Sequence, residues 1–363
     1  MGKSIFGFFD LKNRGSLGVV GAIVVGESGE SKDAFAASAA LPQPSSQRVF
    51  ARVELLGRSV LDRTVDSLKA AGLPSVSLIT PDLITQDLIT HEGRAHKRDG
   101  KVRSHDACDV WPDVTQETAT MREQGVEALL IAVAGPYVEF HPGDMFQFQR
   151  EQGVPIVRAC DDSGDLPIWV VALQQLPDGV EVKSYLEAAN PAAFPAGGYV
   201  NRLETAAEVR RLVCDSLTGQ CRLRPAGFEV KPGIWIAPGA QVERSARVVA
   251  PAFLGSGATV ADQCLITRGT NLEANSQVDY GTVVEDSSVL SNTYVGIGLD
   301  LSHSVVDGIE LMNTRYGIKF NVSDPAILRR IQENRSRFGA TRSSIGNVEV
   351  GAVPVSSQRT MRR

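Results

Sequence analysis

Every sixth residue from position 236 to position 290 is Ile, Leu or Val. The series runs Ile236, Val242, Val248, Leu254, Val260, Ile266, Leu272, Val278, Val284 and Leu290, ten slots without a miss. The fifth position of each hexad is small at Ala240, Ala246, Ala252, Ala258, Cys264, Thr270, Ser276, Thr282 and Ser288, and becomes Tyr294 at the last. A period of six matches neither the 3.6 of an α-helix nor the 2 of a flat strand. It fits a chain that turns a corner every six residues, closing a three-sided rung. The aliphatic side chain then points inward and stacks on its counterpart one rung on, about 4.8 Å away. The small residue sits near the crowded corner. Each rung closes its backbone hydrogen bonds through its neighbours, so none stands alone. Ten hexads make a little over three rungs, and a one-residue phase slip is expected at Val295, with Leu301 continuing the new phase.

This pattern resembles the left-handed parallel β-helix of hexapeptide-repeat proteins. Many of those are acyltransferases that use a His as general base. The one His in this half is His303, in Leu301-Ser302-His303-Ser304-Val305, and the reading set against catalysis is a corner residue. No extended loop interrupts the hexads to grip an acyl carrier arm. A structural, oligomer-forming coil is therefore the expectation.

The N-terminal half has a different rhythm. Gly18–Val25 is an apolar run fit for a buried parallel strand, followed by a turn at Gly26-Glu27-Ser28-Gly29. Val60, Leu61, Val65 and Leu68 fall at helical spacing, and Gly72 suits the helix end. Strands are expected over 75–80, 128–134, 154–159 and 168–173, with helices over 114–124 and 144–152, the latter ending at Gly153. Strands alternating with helices imply a mostly parallel, doubly wound α/β sheet. Residues 31–47 and 81–112 read as irregular, and His91, His96 and His105 as solvated loop histidines rather than metal ligands. Asp161, Asp162 and Asp165 lie between two strands and read as a turn, with metal binding as the alternative. Beyond the coil, Ile327, Leu328 and Ile331 fall at helical spacing, predicting a packed terminal helix over 325–337.

Composition excludes several partners. The 363 residues carry 37 basic and 42 acidic side chains, so bulk electrostatic attachment to nucleic acid is not expected. At 6% aromatic residues, base-stacking platforms are not expected either. No apolar run reaches eighteen residues, so no membrane span is expected. The apolar patch Ile5–Phe9 reads as part of an N-terminal tail. Cys108, Cys160, Cys214, Cys221 and Cys264 form no CxxC pair, and their odd number fits a reducing cytoplasm. The expected organisation is a tail over 1–16, an α/β domain over 17–205, a linker over 206–230 and a coil over 231–310. A terminal segment over 311–341 and a flexible tail over 342–363 follow.

The order of these parts resembles the sugar-1-phosphate nucleotidyltransferases (nucleotide-sugar pyrophosphorylases), especially members with a C-terminal left-handed β-helix. The segment from Leu56-Gly57-Arg58-Ser59 to Ala70-Ala71-Gly72 is similar to the stretch after that family's phosphate loop. Leu129–Val133 is similar to the strand before its metal site, Phe146–Pro155 to the helix and turn that follow, and Tyr199-Val200-Asn201 to its exit strand. Pro232-Gly233-Ile234-Trp235-Ile236 is similar to its entry into the coil. The resemblance implies a nucleotidyltransferase-like α/β domain followed by a left-handed β-helix. It also implies in-line attack at the α-phosphorus of a nucleoside triphosphate. That chemistry uses a Gly-rich loop, Arg and Lys to neutralise charge, and Mg²⁺ held by carboxylate-type ligands.

The catalytic positions depart from the family pattern. The family's Gly-x-Gly-Thr-Arg loop aligns with Gly26-Glu27-Ser28-Gly29-Glu30-Ser31-Lys32, which has two acids and no Arg. Phe50 stands at the position of the motif Lys, leaving Lys32, Arg48 and Arg52 as the weak catalytic candidates. The metal-binding Gly-Asp aligns with Ala134-Gly135-Pro136, and the second metal ligand with Asn201. The resulting expectation is a degenerate, nucleotide-sugar-binding regulatory or scaffold subunit that needs no cofactor. It would associate with itself or with an active relative through the coil. The alternatives are an active, Mg²⁺-dependent nucleotidyltransferase and a hexapeptide-repeat acyltransferase using His303.

Overall fold

The alternation of Val20, Ala22 and Val24 against Ile23 and Val25 buries both faces of the first strand, which dictates a layer of helices on each side. The computed structural model describes residues 19–26, 53–81, 109–331 and the backbone of 102–105. In chain order the N-terminal part holds β1 (Val20–Val25), β2 (Glu54–Leu55), β3 (Arg58–Ser59), α1 (Val60–Ala70), β4 (Ser75–Pro81), β5 (Val102–His105), α2 (Trp111–Glu123), β6 (Ala128–Val133), β7 (Tyr137–Val138), α3 (Pro142–Gln152), β8 (Ile156–Asp161), β9 (Gly164–Ala172), α4 (Val182–Ala188), β10 (Ala192–Pro195), β11 (Val200–Asn201) and α5 (Ala206–Leu217).

The main sheet has the order β10-β8-β9-β6-β1-β4-β5. Leu61, Val65 and Leu68 of α1 and Met145 and Phe146 of α3 cover one face. Trp111, Val114 and Met121 of α2 and Val182 and Leu186 of α4 cover the other. Helix α1 starts where Ser59 Oγ accepts the Asp62 N–H at 3.0 Å. Gly72 follows its C-cap with φ +85°, and Gly153 ends α3 with φ +64°.

The sheet is mostly parallel, as read, with one strand, β9, antiparallel to its neighbours β6 and β8. The structure departs from the sequence reading in two places here. Residues Val102–His105, inside the stretch read as irregular, form a strand parallel to β4. A polar sequence suffices there because the strand is the sheet's edge. Helix α2 begins at Trp111, with Pro112 in its first turn, three residues before the expected start.

The C-terminal part winds through three sheets in rotation. The first holds Ile234–Ile236, Ala252–Leu254, Thr270–Leu272, Ser288–Val289 and Ser304–Asp307 in parallel register. The second holds Gln241–Val242, Thr259–Val260, Gln277–Val278 and Thr293–Val295, and the third Arg247–Val248, Leu265–Thr267, Val283–Glu285 and Asp300–Ser302. Leu254, Val260, Ile266, Leu272, Val278 and Val284 stack inside. The small column caps corners: Thr282 Oγ1 donates to Gly296 O at 2.6 Å and Ser276 Oγ to Glu273 O at 2.7 Å. Corner residues take positive φ, as at Gly257, Asn275 and Asn292.

The phase slip comes earlier than expected. Thr267 pairs with Glu285, eighteen residues on, but Asn271 pairs with Ser288, only seventeen on. The shortened corner lies at Asp286-Ser287, so Val289 points inward and Leu290 points out toward α5. Leu290 fits the six-residue count while serving another core. The expected terminal helix is also absent over its described part. Leu328–Arg330 is a strand, antiparallel to Thr293–Val295, and places Leu328 over the end of the coil core. The apolar spacing there serves one capping side chain rather than a helix face.

A third core joins the two parts. Leu55, Leu56 and Val60 meet Leu203, Val209, Leu212 and Val213, and these meet Phe253, Leu290, Val305 and Met312 of the first coil sheet. Helix α5, inside the stretch read as a linker, fills this seam.

Candidate functional site

Strands β4 and β5 lie to one side of β1 and β6 lies to the other. In open α/β sheets the crevice beyond the carboxyl ends of the strands at such a reversal is the usual ligand seat. Here it is bordered by Gly26, Thr80 and Ala134-Gly135-Pro136. The Gly26 N–H donates to Ile79 O at 2.8 Å, and the Ala134 N–H to Val25 O at 2.7 Å. A Cβ at position 26 would stand 2.8 Å from Thr80 Cγ2, so the close approach of these strand ends calls for glycine. Thr80 is fully buried and its hydroxyl has no hydrogen-bond partner among the described residues.

Of the nucleotide-binding residues expected from sequence, Gly26 is at this crevice. Glu27, Ser28, Gly29, Lys32, Arg48 and Arg52 lie outside the described residues, as do His91, His96 and Cys108; of His105 only the backbone is described. Asn201 is fully buried with both amide ends on backbone. Its Nδ2 donates to Glu208 O at 2.9 Å and its Oδ1 accepts the Leu203 N–H at 3.1 Å. These bonds hold Leu203 at φ +55° and shape the entry to α5, whose first turn Thr205 caps. Asp161, Asp162 and Asp165 form the β8–β9 turn, where Asp161 Oδ1 accepts the Ser163 N–H at 2.9 Å. Arg202 binds the Asp161 carboxylate and the Gly164 carbonyl, and Arg158 pairs with Asp165 at 3.0 Å. Burial disfavours charge on Asp161, but hydrogen bonds from Arg202 and from the Ser163 and Gly164 N–H groups outweigh it and hold the carboxyl below its usual range. Among the described residues, no group of three or more His, Cys, Asp or Glu is placed to hold a metal ion.

Charge is concentrated instead in the seam. The β2–β3 turn has φ +55° at Leu56 and +79° at Gly57, so its two N–H groups converge. The Glu273 carboxylate fills that anion seat, accepting the Leu56 N–H at 2.7 Å and the Gly57 N–H at 2.9 Å. Asn271 Nδ2 donates a third bond at 2.6 Å. Arg63 holds the opposite side of the turn, donating to Leu55 O at 3.0 Å and Leu56 O at 3.1 Å. Complete burial pushes the Glu273 carboxyl up to about 7 against the opposing pull of these donors, and Glu54 adds to the rise.

Arg210 of α5 is the second anchor. One of its terminal nitrogens donates to Asn271 Oδ1 at 3.0 Å and Ser288 Oγ at 2.9 Å. The other donates to Gly269 O and Asp286 Oδ1, both at 2.9 Å. The far oxygen of Asp286 meets His303 Nδ1. His303 thus sits at a corner, φ +49°, one-third exposed and oriented by a carboxylate.

The sequence reading missed Arg210, Glu273 and Asp286. One signal points to them. Across the outward column of the first coil sheet, Trp235, Phe253 and Val305 are apolar, but Asn271 and Ser288 are polar. Two polar residues at a buried position call for a buried partner. No helix among the described residues is long and apolar enough to cross a membrane. Comparison with protein-family models and with curated proteins gives no match to this chain.

Proposed function

We propose that the chain is a catalytically degenerate relative of the sugar-1-phosphate nucleotidyltransferases, with a left-handed β-helix as its C-terminal part. In this reading it binds a nucleotide sugar in the cytoplasm as a regulatory or scaffold subunit. The observation that carries it is the crevice itself. The strand order provides the seat, yet Ala134-Gly135-Pro136 supply no carboxylate where the family places a metal ligand. Asn201, the other aligned ligand, is spent on backbone bonds. In this reading the Gly26-Glu27-Ser28-Gly29 stretch still takes a phosphate, so binding outlives turnover. A metal ligand lost from such a site costs several kcal/mol of transition-state stabilisation.

Thermal unfolding against nucleoside triphosphates, sugar phosphates, nucleotide sugars and acyl-CoA, with and without Mg²⁺, tests the reading. A nucleotide sugar at a hundredfold its Kd should add about 2.7 kcal/mol, independent of Mg²⁺. A Mg²⁺-dependent shift with a triphosphate, followed by release of pyrophosphate, replaces the reading with an active enzyme. A shift with acyl-CoA supports a second reading, an acyltransferase. The His303–Asp286 pair favours it, because a carboxylate on Nδ1 orients the ring as a general base.

A further inference from the structure

Beyond its last rung the coil leaves its interior face partly uncovered. The hairpin of Glu310–Asn313 and Ile318–Asn321 extends the first sheet, with Leu311 opposite Val306 and Phe320 opposite Leu311. Leu311, Ile318 and Phe320 therefore share the face that continues the coil interior, while Met312 turns to the α5 side. Leu328 is buried against the coil core, but Ile318 and Phe320 remain 48% and 50% exposed. Ile309, whose carbonyl accepts the Val322 N–H, is 47% exposed. Ile297 and Ile327, linked by the bond from the Gly296 N–H to Ile327 O, are 63% and 40% exposed. Single aliphatic residues on a surface need no explanation, but five large ones at one end of the coil mark a contact surface.

Charge is sorted toward the same end of the chain. Residues 311–363 hold ten Lys and Arg and three Asp and Glu, against 27 and 39 in residues 1–310. The near balance of the whole chain thus conceals a basic C-terminal stretch on an acidic remainder. Among the described residues, Arg315 is exposed at the hairpin turn beside Tyr316, and Lys319 and Arg330 offset Glu310 and Asp307. The acids exposed here are Asp300, at the edge of the third sheet, and Asp324, which accepts the Ala326 N–H. Four isoleucines and a phenylalanine set no partner's register by hydrogen bonds, and the cations are strung along the chain rather than gathered at one point. Recognition of that kind is non-directional. It suits a fluid surface with an anionic outer layer and an apolar interior. A nucleic acid would meet the charge but has no use for the aliphatic groups.

We infer that the C-terminal end of the coil, with the basic residues of 311–363, binds peripherally to the surface of an anionic lipid bilayer. The tips of Ile318, Phe320 and their aliphatic neighbours enter the headgroup layer, and the basic side chains meet lipid phosphates. The free strand edge at Ile318–Asn321 stays at headgroup depth, where water serves its unpaired backbone groups. The inference stands whether or not the crevice binds a nucleotide sugar.

Cosedimentation of the full chain with vesicles of mixed phosphatidylcholine and phosphatidylglycerol tests it, against vesicles of phosphatidylcholine alone. Binding to the mixed vesicles is expected to be tighter by about tenfold or more and to be released by salt. Ile318→Glu with Phe320→Glu is expected to weaken it by about tenfold or more, with an unchanged circular dichroism spectrum. Arg335→Gln with Arg337→Gln is expected to cost up to about fivefold for each charge removed. Phe228→Glu with Val230→Glu, on exposed residues of the first sheet's other edge, is expected to bind as the wild type does. Should the Ile318 and Phe320 variant fail to fold, Phe320→Trp keeps the site apolar. Its added emission is expected to shift to the blue on mixed vesicles and to be quenched by lipids brominated on their acyl chains. A chain that ignores mixed vesicles, or binds both kinds equally, overturns the inference. So does binding that the apolar variant leaves intact, or a tryptophan at position 320 that stays in water. Displacement from the vesicles by an oligonucleotide, bound equally by the apolar variant, overturns it in favour of nucleic acid.

Discussion

The crevice at the ends of β1 and β6 and the seam between α5 and the coil sit in one molecule and are built on opposite principles. The crevice has the topology of a ligand seat, and its described rim carries no charge: glycine, alanine, proline and a buried threonine hydroxyl without a partner among the described residues. The seam has no ligand topology and a dense charge network, with Arg210 4% exposed and Glu273 fully buried. A buried ion pair adds little or nothing to net stability over an apolar replacement, but removing one partner is strongly destabilising when the other charge stays buried. The charged groups here hold two parts of the chain in register. In the proposed reading the crevice serves an outside ligand. The fixed charges of the described residues thus mark what the chain holds for itself.

The sharpest way to break this contrast is at Arg210. Arg210→Met removes the donors to Asn271, Ser288 and the Gly269 carbonyl and leaves Asp286 to His303 and solvent. A loss of about 3 kcal/mol or more is expected from urea unfolding, because the buried Asn271, Ser288 and Gly269 acceptors each lose a charged donor. A loss within the range of a surface substitution would show that the seam is not a structural anchor.

Glu273 sharpens the contrast through pH. Burial raises its carboxyl in the folded state to about 7, from an ordinary value of 4.5. The folded state therefore holds the proton more tightly than the unfolded one. Stability falls as pH rises from about 4.5 to about 7 and is flat above, with a total of about 3 kcal/mol at most. Wild type and Glu273→Gln should be compared by urea unfolding across this range. Their difference is expected to carry that slope and the variant alone to lack it. Parallel curves would mean that Glu273 does not titrate there.

The smallest expected effects compare one glycine from each region. Gly57→Ala forces a side chain onto φ +79° and 2.8 Å from the Ala226 Cβ. Gly26→Ala meets Thr80 at the same distance but keeps an ordinary φ. Unfolding should show a loss of about 1–3 kcal/mol at position 57 and about 1 kcal/mol at position 26. Equal losses would place the cost in the steric contact rather than in the backbone of the seam turn.

What was legible in the sequence follows from range. The coil was readable because each inward aliphatic answers to a period set by its own corner, six residues away. The βαβ start was readable because Val60, Leu61, Val65 and Leu68 face one way at helical spacing. Leu290 misled because it kept the period while facing α5, so a count of six could not detect the shortened corner at Asp286-Ser287. The segment around Leu328 misled because three apolar residues fit a helix stripe and a capping strand equally. Arg210 and Glu273 were illegible because their partners are far away in sequence: Arg210 reaches Ser288, 78 residues on, and Glu273 reaches back 217 residues to Leu56. Local propensity contains neither distance.

That last separation has a consequence for synthesis. The Leu56-Gly57 turn leaves the ribosome before the rung that carries its carboxylate has been made. At roughly 5–20 residues per second the interval is about 10–40 s. Throughout it the α/β layer can form around β1, but the hairpin has neither the Glu273 acceptor nor the Phe253 and Leu290 cover that seats it. Leu203 and helix α5 can cover its leucines earlier, but the carboxylate that fixes the turn arrives only with the third rung. The first half of the chain is therefore completed by its second.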